Sequence, residues 1–311
     1  MALLRQPATI AGHRIGTGER QRTVPDRVRE DLAVSTHLLK ATARALCVIA
    51  LLAMPTLLLP PQPGGATVIA LVAIFAAVFT LVEYSVAQPS FIEFRSAPPF
   101  NRLRFVALFL TVLTLAMIQR GGHTPSAMTQ LLQAMGDRLG SSLDLPFSPV
   151  RLIQLMMAPG TPEAVLQNLR TAAGLAYVMS LLSTIGFILL LRAHRWPRRT
   201  QSFNVWINLP MFDPTAGGDV VARLNRDSQI NLILGFLLPF VIPAVGKLVA
   251  LFGVPIRLDD PQTLIWMVAA WAFLPASLLM RGIALSRVAQ MIHAQRKKAY
   301  REAAAEGLLP V

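Results

Sequence analysis

The sequence predicts an all-α integral membrane protein with about six transmembrane helices, amphipathic surface helices in an external segment and a helical cytoplasmic extension at the C terminus. Three observations lead to this fold class. Of the 311 residues, 54% are hydrophobic and only 14% are charged, whereas about a quarter of the residues in soluble domains are charged. The charged residues avoid long windows of the chain. Lysine and arginine also concentrate in alternate loops between those windows.

The windows without charge define the spans. Residues 228–256 contain one charged residue, Lys247, and four other windows contain no Asp, Glu, Lys, Arg or His: 45–82, 105–119, 171–191 and 261–280. Because a span needs roughly 20 mainly apolar residues, the first window is long enough for two, separated by the proline- and glycine-rich run 60–65. Arg104 and Arg120 bound the shortest window and can extend to the interfaces. We therefore expect spans near 43–60, 66–86, 103–120, 171–192, 231–252 and 262–281.

The basic residues predict the orientation. Under the six-span arrangement, 23 of the 29 Lys and Arg lie on the side of the termini and five on the other. Basic residues mark the cytoplasmic side, so both termini and the 193–230 loop are expected in the cytoplasm of a bacterial-type inner membrane, with 121–170 outside. The net charge of +13 then lies beside the spans, which favours attraction to anionic inner-leaflet lipid. Nucleic-acid binding is not expected, because it needs a compact basic face with stacking aromatic residues.

Three parts follow from this arrangement. They are a basic cytoplasmic segment with an amphipathic helix at 1–42, the transmembrane bundle at 43–281, and a cytoplasmic helical extension at 282–311. Thr23 is expected to cap a helix that continues into the first span. Asp260 is expected to cap the sixth helix, which meets no stop signal before Gly307. At 1.5 Å per residue that helix is about 67 Å long, roughly twice a bilayer core.

The external segment 121–170 has a repeated local pattern. Three dipeptides each predict a helix cap followed by proline: Thr124-Pro125, Ser148-Pro149 and Thr161-Pro162. Met128 and Met135 belong to an apolar stripe at helical spacing that is expected to end near Gly140, and Met156 to a second, shorter stripe. These helices either lie flat over the bundle or in the outer interface, or they form a methionine-containing docking surface for another membrane subunit.

The 193–230 loop is rich in large apolar side chains, including Trp206, Ile207, Leu209 and Phe212. The bundle, the lipid interface or a partner must cover them, so these four residues are candidate partner contacts. Asp219 is expected to cap the following helix. The preceding run 214–218 is interpreted as a turn. Anion binding there is the alternative, although the run lacks the lysine and the spacing of a P-loop.

The fifth span carries Gly235, Pro239, Pro243 and Lys247. Two prolines four residues apart remove two backbone hydrogen bonds, so a bend is expected there. Such discontinuous helices line binding sites in transporters, although proline is also ordinary as a structural kink in membrane helices. These four residues are the candidate transport path.

Ionisable groups are scarce inside the spans. Glu83 lies near the inner end of the second span, where it is expected to meet Arg44, Arg102 or Arg104, and Lys247 lies near the outer end of the fifth. Coupled transport and catalysis within a membrane usually need such groups at depth. We therefore expect neither an enzyme nor a bound cofactor or metal. The leading hypothesis is a structural subunit or assembly factor of a membrane complex, and the alternative is a small-solute transporter or channel.

The orientation can be tested by labelling single cysteines from either side of the membrane. With Cys47 replaced by serine, Gln130→Cys is expected to react with an impermeant reagent from outside. Val205→Cys and Ala305→Cys are expected to react only from the cytoplasmic side, because the basic residues beside them are retained there. Labelling of positions 130 and 205 from the same side would contradict the predicted topology.

Overall fold

The computed structural model describes residues 26–60, 65–194, 196–197, 203–213, 217–253 and 258–306. In these ranges every regular element is a helix: α1 (Asp26–Leu58), α2 (Gly65–Ser85), α3 (Phe100–Gly121), α4 (Ala127–Leu143), α5 (Pro149–Leu155), α6 (Glu163–Ala193), α7 (Val205–Asn208), α8 (Val220–Leu251) and α9 (Pro261–Ala305). Six of them, α1, α2, α3, α6, α8 and α9, are long and apolar enough to cross a membrane. The all-α class and the six apolar helices are confirmed, and the orientation of the loops stays a prediction.

The chain divides into two units, Met1–Lys40 and Ala41–Val311. In the first unit the structure describes residues 26–40, which are helical. The predicted cap at Thr23 lies outside the described residues. The remaining helices and all sites discussed below belong to the second unit.

Helix α9 has the most buried apolar stretch among the six apolar helices. In its most apolar stretch 56% of the residues are buried, compared with 17–28% in the other five apolar helices. Two apolar clusters form along it. The first joins residues of α9, α3, α6 and α5, among them Leu264, Val268, Leu115, Leu169 and Ile153, and the second packs α9 against α3, α6 and α8 through Met280, Leu285, Phe100, Phe187 and Leu224. Helices α3, α6 and α8 therefore pack on α9, and α5 packs on α6 and α8.

Helices α8 and α9 form an antiparallel pair with close backbone contacts. A Cβ atom at Gly235 would lie 2.8 Å from the carbonyl oxygen of Pro275, and one at Gly282 would lie 2.9 Å from that of Ser228. The Ser228 hydroxyl donates to the Gly282 carbonyl at 2.8 Å. Small residues allow such an approach between helices, and here the approach occurs at two levels of the pair.

The predicted C-terminal extension is helical from its start to Ala305. Helix α9 runs for 45 residues, and past the apolar stretch Val288 and Ala289 are buried in the same cluster as Val221 and Leu224 of α8. The first part of the extension therefore packs on the beginning of α8. Further along, Arg296 pairs with Asp219, and its guanidinium donates a hydrogen bond that lowers the pKa of that carboxyl.

Three predicted caps are confirmed. The side chains of Asp219 and Asp260 accept hydrogen bonds from Ala222 N at 3.1 Å and Thr263 N at 2.8 Å, and Ser148 caps α5 with Pro149 in the first turn. An acceptor at this position satisfies one of the free N–H groups of the first turn.

Two predicted caps are wrong. Helix α4 is capped by Ser126, because Ser126 and Thr129 satisfy each other's backbone N–H groups in a reciprocal box, whereas Thr124 bonds to Arg120. The Thr161 hydroxyl donates to the Ala158 carbonyl at 2.7 Å, which leaves Pro162 as the residue before α6.

Helix α4 does not end near Gly140 as expected, because this glycine is a packing contact and not a cap. A Cβ atom at Gly174 of α6 would lie 2.4 Å from the Gly140 Cα. A Cβ atom at Gly136 would lie 2.6 Å from the Thr171 side chain. Helix α4 therefore lies on α6 through its small residues and continues to Leu143.

A pair of glycine substitutions in α6 tests this contact. Gly174→Ala is expected to lower the free energy of unfolding by about 1–3 kcal/mol, because the added methyl group overlaps the α4 backbone. Gly186→Ala is the matched control, since a Cβ atom there meets no atom within 4 Å. Thermal unfolding in detergent measures both. Equal stability of the two variants would contradict the α4–α6 packing.

Candidate functional site

Three of the four predicted transport-path residues of α8 lie inside the bundle. Pro239 and Pro243 are buried, and Gly235 lies against the α9 backbone. The helix is continuous through both prolines. The expected bend stays a prediction.

One backbone group freed by these prolines has a specific partner. Pro243 has no N–H, so the carbonyl of Pro239 cannot make its usual helical hydrogen bond. The indole N–H of Trp271 on α9 donates to this oxygen at 3.0 Å, and the Trp271 ring stacks on Tyr177 of α6 with centroids 5.8 Å apart. The free carbonyl therefore joins α8 to α9.

Lys247, the fourth residue of the candidate path, binds the external segment. Its ammonium group donates to the Met157 carbonyl at 3.2 Å. Met156, next to it, is 3% exposed within the first apolar cluster. The predicted outer end of α8 is thus joined to the turn that follows α5.

The apolar residues of the 193–230 loop contribute to the chain's own core. Leu209 and Phe212 are 1% and 9% exposed and belong to the second apolar cluster, and Ile207 is partly buried. The side chain of Trp206 lies outside the described part of the structure. A partner that contacts Leu209 or Phe212 would first have to displace them from this cluster, so these two residues are poor candidates for direct contact.

The stripe of α4 faces outward. Met128, Leu131 and Met135 are 56%, 55% and 45% exposed, while Gly136 and Gly140 are buried against α6. The helix therefore turns its glycines toward α6 and three of its large apolar residues away from the protein.

The loop 86–99 is held by polar contacts that the sequence did not reveal. Glu83 is 4% exposed, and its carboxylate accepts hydrogen bonds from the backbone N–H groups of residues 90, 91 and 92 at 3.1–3.2 Å. The predicted contact of Glu83 with Arg44, Arg102 or Arg104 is therefore replaced by contacts with this loop. Three converging N–H groups satisfy the hydrogen-bonding capacity of the buried carboxylate. The Arg95 guanidinium donates to the carbonyls of Glu83, Val86 and Ala87.

Asn208 connects the two loops on this end of the bundle. Its backbone oxygen accepts from Phe94 N at 2.7 Å, and its side-chain oxygen accepts from Ser96 N at 3.0 Å. Glu93 in the same loop forms two hydrogen bonds with Arg281 of α9 at 2.6 and 2.7 Å. These contacts join residues more than 100 positions apart in the chain, so no local sequence pattern predicts them.

A cavity of about 670 Å³ lies beside this loop. Residues of α1, α2, α3, α8, α9 and the 86–99 loop line it, and they include Arg44, Arg102, Arg104, Arg281 and Glu93. The sequence feature that could have indicated this cavity is the presence of arginines at the same predicted end of α1, α3 and α9. In the sequence these arginines indicate membrane topology, attraction to anionic lipid and a contact with Glu83, but no cavity.

Comparisons with known protein families, with curated proteins and with solved structures find no match to this chain. Within the described ranges, no group of three or more His, Cys, Asp or Glu residues is arranged to hold a metal ion. Function is therefore inferred from the surfaces and the cavity of this molecule.

Replacing Trp271 tests the link between α8 and α9. Trp271→Phe keeps the ring and removes the N–H, so it is expected to cost about 1 kcal/mol of stability by leaving the Pro239 carbonyl unpaired in an apolar bundle. Trp266→Phe on the same helix is the matched control. Melting temperatures of both variants in detergent measure the effect. If the melting temperature of Trp271→Phe is not lower than that of Trp266→Phe, the hydrogen bond has no structural role.

Proposed function

We propose that this chain is a non-enzymatic, multi-pass protein of a bacterial-type inner membrane that serves as a structural subunit or assembly factor of a larger membrane complex. Both termini face the cytoplasm, and the external segment 121–170 carries the contact with a protein partner. The six apolar helices support a multi-pass membrane protein. The complex and the orientation are parts of the proposal.

The outward stripe of α4 carries this proposal. A surface helix ordinarily turns its apolar stripe toward its own core, but α4 packs through Gly136 and Gly140 and leaves Met128, Leu131 and Met135 exposed. Methionine adapts its shape to a partner surface. A stripe of this composition outside the apolar helices suits contact with another membrane protein.

The packing of α8 supports the same choice over the transporter alternative. A transport path needs a polar cavity along the broken helix, whereas Gly235 lies against the α9 backbone and the Pro239 carbonyl is bound by Trp271. Lys247 is hydrogen-bonded to the external segment. The features that suggested transport from the sequence are used to hold the bundle together.

The partner hypothesis is tested by making the stripe polar. Met128→Gln, Leu131→Gln and Met135→Gln are combined in the full chain, which is extracted in mild detergent and separated on a native gel. The parent chain is expected to run as a complex, and the triple variant is expected to run at the size of the free chain, because polar side chains remove the apolar contact.

A second triple variant on the same helix controls for general effects. Gln130→Ala, Arg138→Ala and Ser142→Ala change exposed residues outside the stripe and are expected to leave the complex intact. Membrane insertion and the melting temperature are compared for both variants. If the stripe variant inserts, melts normally and keeps the mobility of the parent, the stripe lies in the lipid interface and the subunit proposal fails.

A further inference from the structure

The arginine-lined cavity changes character along its depth. Three helices each line it with a polar residue and, about one turn further into the apolar helix, with an apolar one. These pairs are Arg44 and Val48 on α1, Asn101 and Phe105 on α3, and Arg281 and Leu278 on α9. Along these three helices the lining is therefore polar near the loop and apolar one turn further in, which is the polarity of an amphiphile.

Arg104 has a buried group without a partner. Its Nε is buried and has no hydrogen-bond partner among the described residues. A terminal nitrogen donates to the Ser277 hydroxyl, and the guanidinium lies 4.9 Å from the centroid of the Phe100 ring. No carboxylate in the described ranges forms an ion pair with it. Burial of a cation without a counter-charge is costly, so an anion in the cavity would stabilise this arrangement.

The charges of the lining also favour an anion. Among the described residues, four arginines line the cavity together with one carboxylate, that of Glu93. Both oxygens of Glu93 are bound by Arg281, so this carboxylate does not pair with Arg102 or Arg104. Arg102 is exposed and its side chain can turn toward a bound anion. Guanidinium groups bind phosphate oxygens in pairs of parallel hydrogen bonds.

We propose that this cavity binds the phosphate group of an anionic membrane phospholipid, with Arg102 and Arg104 at the phosphate and the lipid chain beside Phe105 and Leu278. The phosphate supplies the counter-charge that Arg104 lacks. The apolar part of the cavity favours a phosphate attached to a hydrocarbon chain over free phosphate, because burial of the chain adds a hydrophobic contribution. This inference is independent of the proposed subunit role.

Cys47 reports occupancy of the cavity directly. It lines the cavity, its side chain is exposed, and it is the only cysteine of the chain. The full chain is placed in nanodiscs of neutral phosphatidylcholine, alone, with phosphatidylglycerol, or with added inorganic phosphate. The rate of Cys47 modification by a membrane-permeant maleimide is then measured. Phosphatidylglycerol is expected to slow the reaction about tenfold, because a lipid that fills about nine cavities in ten leaves about one in ten reactive. Inorganic phosphate is expected to leave the rate unchanged.

Substitutions of the arginines separate binding from other effects of the lipid. Arg102→Gln and Arg104→Gln are each expected to reduce the protection to less than about twofold, because each loses a charge-assisted contact. Arg226→Gln, an exposed arginine of α8 outside the lining, is expected to keep it. If Arg104→Gln has a lower melting temperature than the parent chain, the result for Arg102→Gln is used instead, because Arg102 is exposed and its replacement should not affect folding.

A cysteine at the neighbouring position controls for the surface charge of the disc. Leu46 is 59% exposed and does not line the cavity. Leu46→Cys in a Cys47→Ser chain is expected to react at nearly the same rate in both discs. Equal slowing at positions 46 and 47, or unaltered protection in Arg102→Gln, would overturn the proposal. If inorganic phosphate protects Cys47 and phosphatidylglycerol does not, the proposal of a bound lipid is wrong and the cavity binds a soluble phosphate compound.

Discussion

Proline in a helix surrounded by apolar groups leaves carbonyls that must find donors within the protein. In α8 this constraint is met at Pro239, whose oxygen binds the indole N–H of Trp271. The bond requires α9 to lie close to α8, and Gly235 and Gly282 remove the side chains that would prevent this approach. Because α3 and α6 pack on α9, and α5 packs on α8, the positions of these three helices depend on the same pair. The prolines of α8, which suggest a transporter site in the sequence, therefore help to join α8 to α9.

The loop end of the bundle is organised by a different principle, the satisfaction of buried polar groups. Glu83 accepts hydrogen bonds from three backbone N–H groups of the 86–99 loop, and Asn208 fixes the same loop to the end of α7. Glu93 then binds Arg281. These contacts form one wall of the cavity and also occupy Glu93, the one carboxylate among the described lining residues. Glu93 is therefore not available to pair with Arg102 or Arg104 because of how the loop is held.

The two proposals concern different parts of the molecule. The outward stripe of α4 lies in the external segment, and the arginine-lined cavity lies beside the 86–99 loop, which the predicted topology places on the cytoplasmic side. A subunit that binds a partner at one face and an anionic phospholipid at the other would hold a complex in a membrane region of defined lipid composition. The two sites share no residue, so each can be changed without altering the other.

The sequence by itself determined the all-α class, the six apolar helices and the caps at Asp219, Asp260 and Ser148, because hydropathy and capping act within about twenty residues. It also identified the residues of α8 and of the 193–230 loop as unusual. Only the tertiary structure decided what these residues contact: Pro239 binds Trp271 and Leu209 packs in the core. It also decided that Met128, Leu131 and Met135 of α4 face outward, since Gly136 and Gly140 pack against Thr171 and Gly174 of α6. Contacts between distant residues depend on the packing of whole helices, and no local period in the chain encodes them.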